Sequence, residues 1–214
     1  MYKITLLSSI HCKLGKCNSD ELYRIIENLE PEIIFEELSN HIFVILYTDE
    51  YIPQSLEAFT IKEYLKTYSI SHFPVDTHVK NEVDLFNGHN SISSKSNEYN
   101  ELFNRQISMI ITNGFSFLNS DEYSELLSNI SAIERKVLHE INNEMLSRQY
   151  QQEIQLHDKR ENEMLKNIYN YSKQFQYRKA LFICGAEHRK PFLNKIPEFE
   201  KREEINLNWS FYGS

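Results

Sequence analysis

Short apolar runs alternate with amphipathic helical patterns from the start of the chain, and this alternation limits the fold more than any other feature. Residues 2–9 read as a first strand. A polar turn follows, and Asn18 with Glu21 three residues on has capping-box spacing, which makes Asn18 the expected N-cap of a helix. Leu22, Ile25, Ile26 and Leu29 recur at i, i+3, i+4 and i+7 and so share one helical face. Ile33, Ile34 and Phe35 form a short apolar run ending in Glu36 and Glu37. Residues 53–68 are helical in pattern, with Leu56, Phe59, Tyr64 and Leu65 as the inward face, and residues 72–75 make a third strand closing at Asp76. Pro74 within that strand marks an edge or a bulge, because proline cannot donate to a ladder. Strand–helix repetition of this kind specifies an α/β fold, with a mostly parallel or mixed central sheet flanked by helices.

The middle of the chain departs from this rhythm. No glycine or proline lies between Gly114 and Gly185. Leu126, Ile130, Ile133, Val137, Ile141 and Met145 recur every three or four residues, the pattern of one long amphipathic helix. A polar stretch at 147–155 is expected to separate it from a second helix starting near Asp158, where Asp158 and Glu161 again have capping-box spacing. Met164, Ile168, Tyr171 and Phe175 continue the apolar face of that second helix. Residues 115–178 are therefore expected to form a helical insertion or hairpin within a single α/β domain of residues 1–214. Residues 87–98, rich in Asn, Gly, His and Ser, are the expected mobile loop. The sheet resumes at 180–184, Pro191 opens a short helix after a turn, and residues 205–211 alternate as a last strand.

Composition removes several function classes. A formal net charge of -8 with no basic stripe argues against a nucleic-acid partner. No apolar run is long enough to span a bilayer, and the first residues are too polar for a signal peptide, so no membrane partner and a cytoplasmic location are expected. Three cysteines, Cys12, Cys17 and Cys184, cannot all pair and are expected as reduced thiols. Together with His11 and His188 they lack zinc-knuckle spacing, and Cys184 lies inside an apolar strand where it packs as a small hydrophobe.

Chemistry-bearing side chains gather at the predicted strand ends. His11 follows the first strand, Glu36 and Glu37 end the second, Asp76 ends the third, and His188 comes three residues after Gly185. In open parallel sheets ligands bind outside the carboxyl ends of the strands. Imidazole with carboxylate suits a divalent transition metal, which activates a water or polarises a carbonyl. Each residue also has a plain structural role. A histidine after a strand often bonds only to backbone, Asp76 can open a turn, the capping box accounts for Glu161, and solvent accounts for Arg160. Glu36 and Glu37 are neighbours that point to opposite faces of an extended chain, so at most one faces a shared site.

The order of these motifs resembles the TraB/PrgY/TIKI superfamily and, in outline, erythromycin-esterase-like and ChaN-like proteins. Ser8-Ser9-Ile10-His11 resembles its first Gly-x-x-His motif, with Ser8 in the place of the glycine. Residues 31–38 resemble its Pro-Asp-apolar-apolar-x-x-Glu-Leu strand and put Glu37 at the family glutamate. Ser55-Leu56-Glu57 followed by Asp76 resembles its Glu-bearing helix and subsequent Asp, and the run from Arg160 to Met164 resembles its Arg-Asp/Asn-x-x-Met motif. Gly185-Ala186-Glu187-His188 matches the second Gly-x-x-His, and residues 80–155 have no counterpart. The resemblance implies a metal-dependent hydrolase of peptide or ester bonds. His11, His188 and Glu37 would be metal ligands, with manganese, cobalt or zinc as the ion. Glu37, Glu57 and Arg160 would be catalytic, Arg160 holding a substrate carboxylate or an oxyanion. Glu36, Asp76 and Glu161 would complete the site, and the substrate would be a small molecule or peptide. A non-catalytic binding or signalling module of the same fold is the alternative, and haem or iron storage a third. The long amphipathic helices add a homodimer to the expectations.

Overall fold

A computed structural model describes residues 2–77 and 86–213. Strands β1 (Tyr2–Ser9), β2 (Ile33–Glu36), β3 (Ser71–Pro74), β4 (Lys179–Gly185) and β5 (Leu207–Phe211) form one sheet in the order β3-β2-β4-β1-β5. Every neighbouring pair is parallel, so all five carboxyl ends lie on the same side. β3 is an edge strand, as Pro74 demands. The strands alternate with period two and are covered on both faces, the hallmark of a parallel sheet. Leu7, Ile34, Leu181 and Ile183 join one core. Ile4, Leu6, Ile33, Phe35 and Phe182 join the other.

The helices among the described residues are α1 (Ser19–Leu29), α2 (Asn40–Leu46), α3 (Leu56–Leu65), α4 (His89–Ser93), α5 (Asn97–Asn113), α6 (Phe115–Leu118), α7 (Asp121–Ile141), α8 (Glu144–Gln174) and α9 (Arg189–Arg202). Asn18 caps α1 by accepting from the Glu21 amide at 3.0 Å, as its spacing predicts. α1 and α3 to α7 supply the first core, and α9 supplies the second.

Three expectations for the middle of the chain are corrected. Residues 87–98 do not form a loop: they hold α4 and the first turn of α5, with Ile92 fully buried and Ser96 capping the Tyr99 amide. Their Ser and Asn residues act as caps as well as turn formers. No helix begins at Asp158. α8 runs unbroken for 31 residues, because the polar stretch 147–155 consists of good helix formers such as Arg, Gln and Glu. The break lies earlier, at Asn142 in left-handed conformation (φ 52°) and Asn143, whose side chain accepts from the Met145 and Leu146 amides. Met145 is therefore on α8 and 64% exposed, outside the apolar stripe of α7.

α8 links the two cores. Its start packs on the first through Leu146 and Tyr150. Its later turns pack on the second through Met164, Leu165, Ile168 and Tyr169. At 1.5 Å per residue it is about 46 Å long, enough to pass from one face of the sheet to the other. The turns between, residues 156–161, cross the carboxyl ends of the strands. No described helix is long and apolar enough to cross a membrane.

Candidate functional site at the strand ends

The chain diverges at the ends of β2 and β4, which are neighbours in the sheet. β2 continues toward β3 at one edge, and β4 continues toward β5 at the other. Such a switch point opens a crevice at the carboxyl ends of the strands. A cavity of about 420 Å³ occupies it, and its polar lining includes His11, Glu37, Glu57, Asp76 and Arg160. Four separate strand ends and the middle of α8 thus contribute to one space.

Glu37 bridges the divergence. One carboxylate oxygen, Oε2, accepts from the Gly185 amide at 2.6 Å, tying β2 to β4. The other, Oε1, accepts from Arg160 Nη2 and lies 3.2 Å from His188 Nε2. Burial opposes its charge, but His188, Arg160 and the Gly185 amide outweigh burial and hold the carboxyl far below the usual carboxylate range. Arg160 also donates to Asp76 Oδ2, through Nε at 3.1 Å and Nη2 at 2.8 Å. One guanidinium therefore spans the ends of β2 and β3.

His188 is fully buried at the close of a short 3₁₀ turn, Ala186–His188. Its Nδ1 bonds Glu161 at 2.9 Å, and Glu161 also takes Lys195 Nζ at 2.7 Å. Burial works against protonation of His188, but Glu161 and Glu37 prevail and raise its pKa to about 10. Glu161 is no helix cap, as its spacing suggested, because it lies mid-helix with its carboxylate buried between His188 and Lys195.

His11 also lines the cavity. The His11 carbonyl accepts from the Leu56 amide at 3.0 Å, which places the loop after β1 against the start of α3. His11 Nδ1 then stands 3.4 Å from Glu57, and that carboxylate raises the His11 pKa to about 9. His11 is mostly exposed, whereas both Glu57 oxygens are buried with no hydrogen-bond partner. Ser8, where the resembled motif has glycine, lies in the regular strand β1, and positive φ among the described non-glycine residues occurs only at Glu30 and Asn142. Serine is therefore unstrained there. Its backbone is clamped by Asn119, which accepts from the Ser8 amide at 2.7 Å and donates to its carbonyl at 3.0 Å.

Glu36 and Glu37 both line the cavity, against the expectation that at most one would, but their carboxylates take different partners. The buried Glu36 carboxylate is bonded to Tyr47 Oη and, at 2.7 Å, to His72 Nδ1. Burial pushes its carboxyl up. Sequence reasoning missed Tyr47 and His72, which carry no spacing signal. It also missed His157, whose ring stands 5.3 Å from that of His188 and whose pKa is lowered by burial and by His188. That residue was legible, since it precedes Arg160 by three and Glu161 by four on one helix.

The donor set fits a divalent ion in part. Metal-bound histidines typically give their second nitrogen to a carboxylate, as His188 does with Glu161. Bonds of about 2.1 Å place adjacent ligands roughly 3 Å apart, close to the His188–Glu37 and His11–Glu57 separations of 3.2 and 3.4 Å. His188 Nε2 and both Glu57 oxygens also lack hydrogen bonds. Among the described residues no group of three or more His, Cys, Asp or Glu stands ready as a closed ligand cluster. An ion here would rely on one pair completed by water or substrate, and would displace a proton from histidine on binding. Comparison with family models, curated proteins and solved structures returns no match.

Proposed function

We propose that this chain is a hydrolase of peptide or ester bonds of the kind the TraB/PrgY/TIKI superfamily resemblance implies, with the strand-end cavity as its active site. The observation that supports it best is the gathering of His11, Glu37, Glu57, Asp76 and Arg160 around one cavity at a switch point. Glu37 has both oxygens engaged and a strongly depressed pKa, which suits an anchor or a metal ligand better than a base. The base role falls to Glu57, whose oxygens are buried, take no hydrogen bond and stand beside His11 at 3.4 Å. In this reading Glu57 takes a proton from water as the oxygen adds to the scissile carbonyl carbon. The Arg160 guanidinium faces the developing oxyanion, the C–O or C–N bond breaks, and the proton passes through Glu57 or His11 to the leaving group. A bound manganese, cobalt or zinc ion would lower the pKa of that water and polarise the carbonyl.

The test combines metal analysis with turnover of neutral esters by the wild type, Glu57→Gln and His11→Asn. Stoichiometric metal and a hundred-fold or greater loss in the variants support the reading. A wild type with neither metal affinity nor turnover overturns it. The ion pairs that already engage Arg160 favour a second reading, a non-catalytic binding module, in which Arg160→Ala changes stability and no hydrolytic rate. We place the protein in the cytoplasm. A homodimer through the long helices would draw on exposed Met145 and Ile154, since the apolar stripe of α7 is buried within the chain.

A further inference from the structure

The charged floor of the cavity faces a wall of a different kind. Ile42 and Leu46 from α2, Tyr51 after it, Ile61 from α3 and Leu156 from α8 line the same space. α2 has the sequence Asn-His-Ile-Phe-Val-Ile-Leu yet buries none of its residues. Ile42 remains 38% exposed and Tyr51 38%, beside Glu37, Asp76 and Arg160. Apolar surface held open in a concave site is characteristic of ligand pockets, where it covers the apolar part of the ligand. Ser39, at the start of α2, also lines the cavity, and its buried Oγ has no hydrogen-bond partner. A polar atom left so costs stability unless a ligand group satisfies it. The titratable lining is mostly acidic, with Glu36, Glu37, Glu57, Asp76 and Glu187 against Arg160, His11 and His157, so an anionic ligand is disfavoured.

We propose that this site selects a neutral ester or amide with a medium-length apolar acyl arm. The arm lies along Ile42, Leu46 and Leu156, and the acyl carbonyl lies toward Ser39 and Arg160. The inference rests on the cavity being the active site and adds its substrate class. Hydrolysis of such an ester consumes one water, breaks the acyl C–O bond and releases a carboxylic acid and an alcohol. The acid product is anionic and is repelled by the same carboxylates, which favours its release.

The experiment measures kcat/KM for the p-nitrophenyl esters of acetic, butyric, hexanoic and octanoic acids, corrected for spontaneous hydrolysis. Calorimetry of hexanamide and acetamide binding gives a readout without turnover. Each methylene moved from water into an apolar wall gives about a four-fold gain, so hexanoyl should exceed acetyl by on the order of a hundred-fold. Ile42→Asn should flatten this dependence. Val44→Asn, on the same helix, 67% exposed and outside the cavity lining, should leave it intact. Hexanamide preference without ester turnover would uphold the apolar arm and overturn the hydrolase reading. Turnover indifferent to chain length would overturn the arm and leave the hydrolase. Equal effects of Ile42→Asn and Val44→Asn would overturn the α2 wall, and absence of both turnover and amide binding would overturn both proposals.

Discussion

Replacing Arg160 by alanine tests whether α8 is fastened over the strand ends by charge. Arg160 donates to Asp76 through two nitrogens and to Glu37 through one, and the two carboxylates are only 5% and 6% exposed. Removing one partner of a buried pair costs about 3–5 kcal/mol, because it leaves an uncompensated charge. Glu37 keeps the Gly185 amide and His188, and Asp76 keeps the Thr77 amide at 2.8 Å, so the lower end of that range applies. A loss of about 3 kcal/mol in a chain of this size lowers the melting temperature by roughly 6–12 °C. Urea unfolding and thermal melts read it directly. The penalty should shrink in acid. The depressed folded pKa of Glu37 means its contribution is fully present above the ordinary glutamate value and is lost as pH falls through the folded one. Protonation then relieves the charge that Arg160→Ala strands. A loss below about 1 kcal/mol at neutral pH, the level of a surface ion pair, would refute the account of α8.

Other substitutions probe separate parts of the site. Asn119→Ala removes both side-chain bonds to the buried Ser8 backbone and should cost about 3 kcal/mol in urea unfolding, since a buried donor and acceptor are stranded together. Glu36→Gln removes the burden of a buried carboxylate. Its raised pKa means stability is full below the ordinary glutamate value and is lost as pH rises through the folded one, so the variant should gain on the wild type in melts at pH 8 relative to pH 4. Lys195→Met leaves Glu161 with His188 alone and should lower the melting temperature by several degrees, with rescue by Lys195→Arg.

The sheet was legible because its signals are local. Apolar runs bounded by polar turns located β1, β2 and β4, Pro74 marked the edge, and Asn18 with Glu21 fixed the start of α1. The strand order was not legible, because insertion of β4 between β2 and β1 depends on packing between distant segments. Capping chemistry misled twice. Asp158 and Glu161 have the spacing of a helix start but lie mid-helix, where Lys195 and His188 claim their carboxylates. Ser and Asn around residues 87–98 suggested a loop, whereas they cap short helices whose stability comes from burying Ile92 and Tyr99.

The site was legible in part. Position at strand ends put His11, Glu37, Asp76 and His188 in one neighbourhood, and the motif resemblance added Glu57 and Arg160. His188 proved to be fully buried, meeting the cavity through Glu37, whereas His11 lines the cavity and is mostly exposed, so the two histidines sit in different environments. Glu36 was expected beside them and does line the same cavity, although Tyr47 and His72 already hold its carboxylate. His157 and Ser39 were not legible from the strand ends, because one lies mid-way along α8 and the other at the start of α2.

The most direct test of the active-site assignment is turnover of p-nitrophenyl hexanoate by the metal-supplemented wild type and by Glu57→Gln, with melting temperatures measured on the same preparations. The Glu57 oxygens take no hydrogen bond and, among the described residues, only the mostly exposed His11 stands by them, so glutamine should fit without loss of fold. The account predicts measurable wild-type hydrolysis, a loss of about a hundred-fold or more in Glu57→Gln as expected for a general base, and melting temperatures within a few degrees of each other. Equal rates in the two proteins, or no hydrolysis by the wild type, would contradict it.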